Sequence, residues 1–382
     1  MKPYKPRYFI GLMTGTSLDS IDVALIREEH EHFELCDALN YPLSNRLKDD
    51  IAKIMHPGDN EIETLGAADS QLSHEYAQAV FALSQKIGYS PAQITAIGCH
   101  GQTIRHMPPG SNTFPFTLQI GDPNTLAALT GIQVVSDFRR KDMALGGHGA
   151  PLAPSFHNHL FRHEDEQRYI VNIGGIANLT ALVINAPCVG YDTGPGNTLM
   201  DSLCQKTWNE PYDENGKKAE SGKVNHALLN LMLDDAYFKL PAPKSTGREY
   251  FNLKWVNTYL KRIKHEPSTE DILATLTELT ARSIINAIEL NKAQNDKYSQ
   301  KAAVYLCGGG THNRHLLKVL EQHAHAKNLS VHTTKDLGIH PDWVEAAAFA
   351  WLAARRIDEK PGNLPSVTGA SREAVLGGLY LP

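Results

Sequence analysis

Short apolar runs that break on glycine and small hydroxyl residues recur along the chain. "YFIGLM" (8–13) and "IDVALI" (21–26) are rich in β-formers and flank the polar stretch "TGTSLDS" (14–20), the pattern of two antiparallel strands joined by a tight turn. "RYIVNIGGIANLTALVI" (168–184) has the same shape, with Gly-Gly and Asn at its turn. Two such units so far apart predict an internal duplication too long for a solenoid repeat, and hence two related domains.

The remaining pattern alternates strand and helix in the α/β manner. "ITAIGCHGQTI" (94–104) reads as a buried strand running into a polar loop, and "GIQVVSDFRRKDMALGGHGAPL" (131–152) as a strand followed by a long glycine-rich loop. "PSFHNHLF" (154–161) starts a helix, and "NTLMDSLCQKTW" (197–208) forms one with Leu199, Leu203 and Trp208 on a face. "NEPYDENGKKAESGKVN" (209–225), charged and nearly free of large apolar residues, predicts an exposed, mobile loop. "DILATLTELTARSIINAIEL" (271–290) is a long amphipathic helix by the spacing of Ile272, Leu276, Leu279, Ile284 and Ile288. "AAVYLCGGGTHNRHLLKVL" (302–320) passes from strand through three glycines into a helix. In "HPDWVEAAAFAWLAARRI" (340–357), Pro341 and Asp342 open a helix and Arg355 and Arg356 close it, where the helix dipole favours each.

At 382 residues the chain exceeds the usual size of one hydrophobic core. With the repeated hairpin, this predicts an N-terminal domain over 1–165 and a C-terminal domain over 166–382 that face each other across a cleft, the last helix packing back on the first domain. A formal charge of −5 lacks the basic excess of a nucleic-acid binder. Five scattered cysteines without a CxxC pair fit a reducing compartment and read as small buried residues. No run of eighteen apolar residues occurs, and "MKPYKPRYFIG" lacks the apolar core of a signal peptide, so the expected setting is the cytoplasm, with no membrane partner.

The opening loop carries the first candidate chemistry. Backbone amides of a tight glycine turn, with Thr and Ser hydroxyls, make a concavity suited to phosphate oxygens. Asp19 and Asp22 would repel that phosphate unless a cation intervenes, and Mg²⁺ is the usual mediator. The same stretch also suits an ordinary hairpin turn with capping hydroxyls. "NIGGIAN" supplies a second glycine pair, and Gly308, Gly309 and Gly310 a third cluster at a strand-to-helix junction, where helix N-termini attract phosphate or a nucleotide's polar groups. Together they point to nucleotide binding, with neither a P-loop nor a dinucleotide-fold signature. Asp192 in "YDTGPGN" ends a strand before a Gly-Pro-Gly turn, and it suits either a general base or a turn-capping side chain. "HGQT" (100–103) and "SDFRR" (136–140) are polar enough to line a substrate pocket, with Arg139 or Arg140 able to clamp a carboxylate. The eighteen histidines include no HExxH and no zinc-finger spacing.

The strings "GLMTGTSLDSIDVAL", "GCHGQTIRHMP", "DFRRKDMALGGHGAPL", "VNIGGIANLT", "YDTGPGN", "KSTGREYFN", "ATLTELTA", "CGGGTHN" and "HPDWVEAAAFAWLA" resemble, in order, the anhydro-N-acetylmuramic acid kinase family. The resemblance spans essentially the whole chain. It implies an α/β fold of two ribonuclease-H-like, actin-like ATPase domains with mixed sheets flanked by helices. It also implies ATP-dependent, hydrolytic opening of a 1,6-anhydro amino sugar coupled to its phosphorylation, with bound Mg²⁺ and with a homodimer as a plausible assembly.

Carried over by position, Gly15, Thr16, Ser17, Leu18, Asp19, Ser20, Ile21 and Asp22 hold ATP phosphates, and Asp19 meets Mg²⁺ through water. Gly174, Gly175 and Asn178 form the second phosphate loop, Gly308 to Gly310 approach the adenosine, and Asp192 is the catalytic base. Gln102, Thr103, Arg139 and Glu345 fall on the sugar side. The family loop usually has Ser in place of Thr14 and Gly in place of Ser20, and Ser20 would be strained if that position needs positive φ. Two other readings share the nucleotide motifs: a kinase for an ordinary amino-sugar hydroxyl, and a non-catalytic ATP-switched protein of the actin or chaperone type.

Overall fold

A computed structural model of the chain describes residues 5–15, 18–265, 267–294 and 301–382. These divide into two compact units, residues 1–156 with 343–382 and residues 157–342. The first division falls nine residues before the expected 165/166 boundary, and the C-terminal forty residues belong to the first unit. Among the described residues no helix is long and apolar enough to cross a membrane.

In the first unit β1 (Arg7–Thr14), β2 (Ser20–Glu29) and β3 (His32–Pro42) form an antiparallel meander. β4 (Ala96–Cys99) then lies parallel to β1, and after the hairpin of β5 (Gln102–Met107) and β6 (Phe116–Ile120), β7 (Val134–Ser136) lies parallel to β4. The C-terminal strand Gly378–Tyr380 completes the sheet against β7, in the order Gly378–Tyr380, β7, β4, β1, β2, β3. Alternation along β1 sends Ile10 and Leu12 into a core with Leu47, Ile51, Leu72, Tyr76 and Leu83 of the helices Asn45–Ile54 and Glu61–Ile87. Gly11 points to the other face. There it is the register partner of Gly98 on β4, and the helix Val344–Ile357 lies so close that a methyl at either glycine would overlap the carbonyl of Ala346 or Phe349. Ala346, Ala350 and Ala353 supply the matching small surface on that helix.

The second unit repeats the plan. β8 (Glu166–Ile173), β9 (Ile176–Leu182) and β10 (Val189–Pro195) form an antiparallel meander, and β11 (Lys301–Cys307) and β12 (Ser330–Thr333) extend it in parallel from β8. The order β10, β9, β8, β11, β12 matches β3, β2, β1, β4, β7 strand for strand and direction for direction. Both units are thus ribonuclease-H-like. The long helix Thr269–Gln294 buries Leu273, Leu276, Leu279, Ile284 and Ile288 against this sheet and its neighbours.

Two expectations change. The stretch 209–225 is folded: Asp213 is buried, and its carboxylate accepts the amides of Lys218 and Ala219 at 3.0 and 2.9 Å, capping the short helix Lys217–Ser221. Four of the five cysteines are buried as expected, but Cys36 is exposed because it sits on the solvent-facing side of β3.

Candidate active site

The second unit brings most of the candidate residues together. Register places Asn172 of β8, Asn178 of β9 and Asp192 of β10 directly across from one another, a polar row on one face at the end of three strands. Beyond that row the chain turns at Gly174 and Gly175. Their carbonyls are taken by amides that follow β10: Gly196 and Thr198 donate to Gly175 at 2.9 and 3.0 Å, and Asn197 to Gly174 at 2.8 Å. The Gly-Pro-Gly turn is held in place by Thr280 of "ATLTELTA", whose hydroxyl lies 3.0 Å from the carbonyls of both Pro195 and Gly196. On the far side, side chains at Gly308 or Gly310 would collide with Asn172 and Ile173, so these two glycines permit close packing beside the turn. Gly309 instead borders open space, and a Cβ at Gly174 would meet only the Ile176 carbonyl at 3.5 Å, so the two leave a cradle that a larger residue would fill. Bare backbone at two adjoining turns fits a polyanionic, phosphate-bearing ligand.

Asp192 sits at a β-bulge, a device that re-aims a side chain next to a site. The amide of Thr246 and the hydroxyl of Ser245 donate to its Oδ2 at 3.0 and 3.1 Å, and among the described residues no donor reaches Oδ1. Burial pushes the carboxyl up to about 6, against the pull of the Thr246 and Ser245 hydrogen bonds, and Glu249 adds to the rise. A carboxylate poised there has the basicity of a general base at neutral pH. Its backbone is fixed as well: the Tyr237 hydroxyl donates to the Asp192 carbonyl at 2.6 Å, and the Asp192 amide donates to Lys244 at 3.2 Å.

In the first unit, Gly15 accepts the Leu18 amide at 3.1 Å, closing the turn of the opening loop. Thr16 and Ser17 lie outside the described residues. Leu18 carries the positive φ of the loop (58°), with its side chain in the core, and Ile21 is fully buried, so neither side chain faces a ligand. Ser20 begins β2 in extended backbone, which removes the strain expected for a non-glycine there. Asp19 is exposed, whereas Asp22 accepts from Asn40 at 2.6 Å and from Ser20 at 3.2 Å.

Arg139 donates through Nε and Nη2 to His100 Nε2 at 3.1 and 2.8 Å, and through Nη1 to the Gly149 carbonyl at 2.8 Å. His100 therefore accepts at Nε2 and donates from Nδ1 to the Gly101 carbonyl at 2.7 Å, which makes it neutral; burial and the Arg139 charge both hold its pKa well below the usual value. Burial lowers Arg139 itself to about 10, opposed by the charges of Glu345 and Asp142. Glu345 occupies the first turn of the helix Val344–Ile357 and is exposed. Thr103 Oγ1 accepts from Gln119 at 3.1 Å. Gln102 is 1% exposed, and among the described residues its Oε1 has no donor, a buried acceptor of the kind a bound ligand satisfies. The glycine-rich loop 145–152 is ordered by buried Asp142, whose carboxylate accepts from Gly149, Asn363 and Thr368 at 2.7–2.8 Å.

His100 and Asn172 fall inside the strings "HGQT" and "NIGGIAN" without a role of their own in the sequence reading, and Asp142 and the pair Ser245 and Thr246 carry none there either. The string "KSTGREYFN" was the one available signal for the last two, and its contact with Asp192 spans more than fifty positions.

A family model described as anhydro-N-acetylmuramic acid kinase matches residues 7–382. The chain belongs to that family. Relatives named anhydro-N-acetylmuramic acid kinase include one from Saccharophagus degradans, 49% identical over 99% of this chain and 100% of its own length. One from Coxiella burnetii is 49% identical over 98% of each chain, and one from Pasteurella multocida is 47% identical over 98% of this chain and 96% of its own. Membership makes the chain a kinase and sets aside the non-catalytic ATP-switched reading.

Proposed function

We propose that this chain couples hydrolytic opening of 1,6-anhydro-N-acetylmuramic acid to phosphorylation of the oxygen released, giving N-acetylmuramate 6-phosphate and ADP in the recycling of cell-wall peptidoglycan in the cytoplasm. The observation that carries this reading is Asp192, a carboxyl lifted to about 6, with one oxygen clear of donors among the described residues, beside the Gly174–Gly175 turn. Asp192 takes a proton from water as the water oxygen bonds to the anomeric carbon and the C1–O6 bond breaks. Opening a glycosidic bridge ordinarily needs a second group to protonate the leaving oxygen. ATP supplies in its place a γ-phosphoryl group, so that the terminal P–O bond of ATP breaks as O6–P forms. The proton on Asp192 then passes to solvent, and no oxidant or reductant is involved.

The other residues position. Backbone at Gly174 and Gly175, with Asn178, and the loop Gly15 to Asp22 hold phosphates; Gly308 to Gly310 border the adenosine. Mg²⁺ binds through one or two carboxylates with water and phosphate oxygens, and exposed Asp19 suits that role through water. Gln102, Thr103, Arg139 and Glu345 are assigned to the sugar, with Gln102 Oε1 as the acceptor for one of its O–H or N–H groups.

The test is Asp192→Asn. It should bind ATP with affinity close to that of the unmodified chain while turnover on the anhydro sugar falls at least about a hundredfold, the lower end of general-base contributions. A near-normal rate would remove Asp192 from the chemistry.

A further inference from the structure

The segment that holds Asp192 also carries an arginine for which the reaction as derived has no use. Arg248 lies two residues beyond Thr246, and its guanidinium rests on Gly175: a Cβ built there would sit 3.3 Å from Nη2 and 3.4 Å from Nε. Cζ lies farther off at 3.8 Å, so it is the Nε–Nη2 edge of the guanidinium that turns toward Gly175, into the space a side chain there would take. Arg248 is exposed; its carbonyl accepts from Asn252 at 3.3 Å, and among the described residues its guanidinium has no carboxylate or other polar partner. A structural arginine on a protein surface commonly has an ion pair or a carbonyl; this one turns its Nε–Nη2 edge to the bare backbone at Gly175, with no acceptor for its guanidinium among the described residues. Four successive residues, 245–248, thus join two functions, since Ser245 and Thr246 grip the base while Arg248 covers the second phosphate turn.

The placement is held from behind. Asp235 accepts the Tyr237 amide at 2.8 Å, the Tyr250 hydroxyl at 2.7 Å, the Trp255 indole N–H at 3.0 Å and the Tyr259 hydroxyl at 2.6 Å. Asn252 donates back to the carbonyls of Glu249 and Tyr250 at 2.9 and 3.3 Å. Both ends of the 237–252 stretch are thereby pinned, so the guanidinium is positioned by the fold.

We infer that Arg248 is a catalytic residue that binds the phosphoryl group in transit on the Gly174–Gly175 turn. This rests on the kinase reading above. A guanidinium offers paired N–H donors in the geometry of two phosphate oxygens, and its charge offsets that of the phosphoryl oxygens as the terminal P–O bond of ATP breaks and O6–P forms.

The test compares the unmodified full chain with Arg248→Met and Arg248→Lys by calorimetry, using ADP and the β,γ-imido analogue of ATP with Mg²⁺, together with kcat and KM for the anhydro sugar. Arg248→Met should bind ADP within about threefold of the unmodified chain, while the preference for the imido analogue over ADP falls at least about tenfold and kcat falls about 10²–10³-fold, as for removal of a preorganised donor. KM for the sugar should change little. Arg248→Lys should recover part of both losses, since it restores charge without the paired geometry. An unchanged preference for the imido analogue, even with a lowered kcat, would reduce Arg248 to a structural cover for Gly175 and overturn the inference. If the unmodified chain fails to phosphorylate the sugar, the proposed function falls, and the nucleotide preference still decides the role of Arg248.

Discussion

Asp192 titrates near 6 in the folded chain and near its ordinary 3.8 when unfolded, which gives two pH dependences of defined sign. As a base it works only when deprotonated, so kcat/KM should fall tenfold per pH unit below about 6. Ser245→Ala removes a donor that favours the carboxylate, and its acid limb should lie at higher pH than that of the unmodified chain. An acid limb that stays in place would show that another group titrates. For stability the sign is reversed from the usual carboxylate. Between 3.8 and about 6 the folded state binds more protons than the unfolded one, so stability falls as pH rises through that window. Asp192→Asn should accordingly be more stable than the unmodified chain above pH 6, by on the order of 3 kcal/mol, and unfold at a higher temperature there, with the gap closing near pH 4. Thermal scans at both pH values check this, and an equal gap at each would contradict it. A residue that costs the fold something at working pH is what a functional carboxylate is expected to be.

At the scale of elements, the two hairpins were readable because each strand is an apolar run cut by glycines, and the turn chemistry admits few alternatives. β3 was not, since its alternating positions face solvent and its sequence "HFELCDALNYP" shows no apolar run. The helix Glu61–Ile87 escaped for a related reason: its buried face includes Ala68, Ser73, Glu75 and Ser84 beside its leucines, which blurs the periodic signal. Asp213 illustrates a third kind of miss, in which one buried carboxylate converts a polar stretch into a helix by accepting two amides. The helix Val344–Ile357 was readable as a helix and as one that packs back on the first domain, but its seat on β1 and β4 was not, because only the register of Gly11 with Gly98 discloses where it lies. Gly11→Ala and Gly98→Ala should each destabilise the first unit by about 1–3 kcal/mol or more, since backbone carbonyls cannot move aside as a side chain tip would. Gly309→Ala, which borders open space, should leave the melting temperature nearly unchanged. Similar melting temperatures for all three variants would refute the close packing of the helix on β1 and β4.

For the whole molecule, strand order and direction in the two units coincide, so one architectural plan has been put to two uses. The first unit spends its β1–β2 turn on the opening loop, and the second spends the equivalent β8–β9 turn on Gly174 and Gly175. The glycine motifs disclosed these turns from the sequence alone. Ser245, Thr246 and Arg248, which lie against Asp192 and the second turn, come from the segment between β10 and β11, whose path depends on the aromatic and carboxylate contacts around Asp235. Such contacts join residues far apart in the chain and leave no local pattern. The central claim is that one active site couples water attack at the anomeric carbon to phosphoryl transfer. The most direct measurement is mass spectrometry of the product formed from ATP, Mg²⁺ and 1,6-anhydro-N-acetylmuramic acid in ¹⁸O-labelled water. The sugar phosphate should carry one labelled oxygen from that water. An unlabelled sugar phosphate, or phosphorylation of an unbridged amino sugar alone, would contradict it.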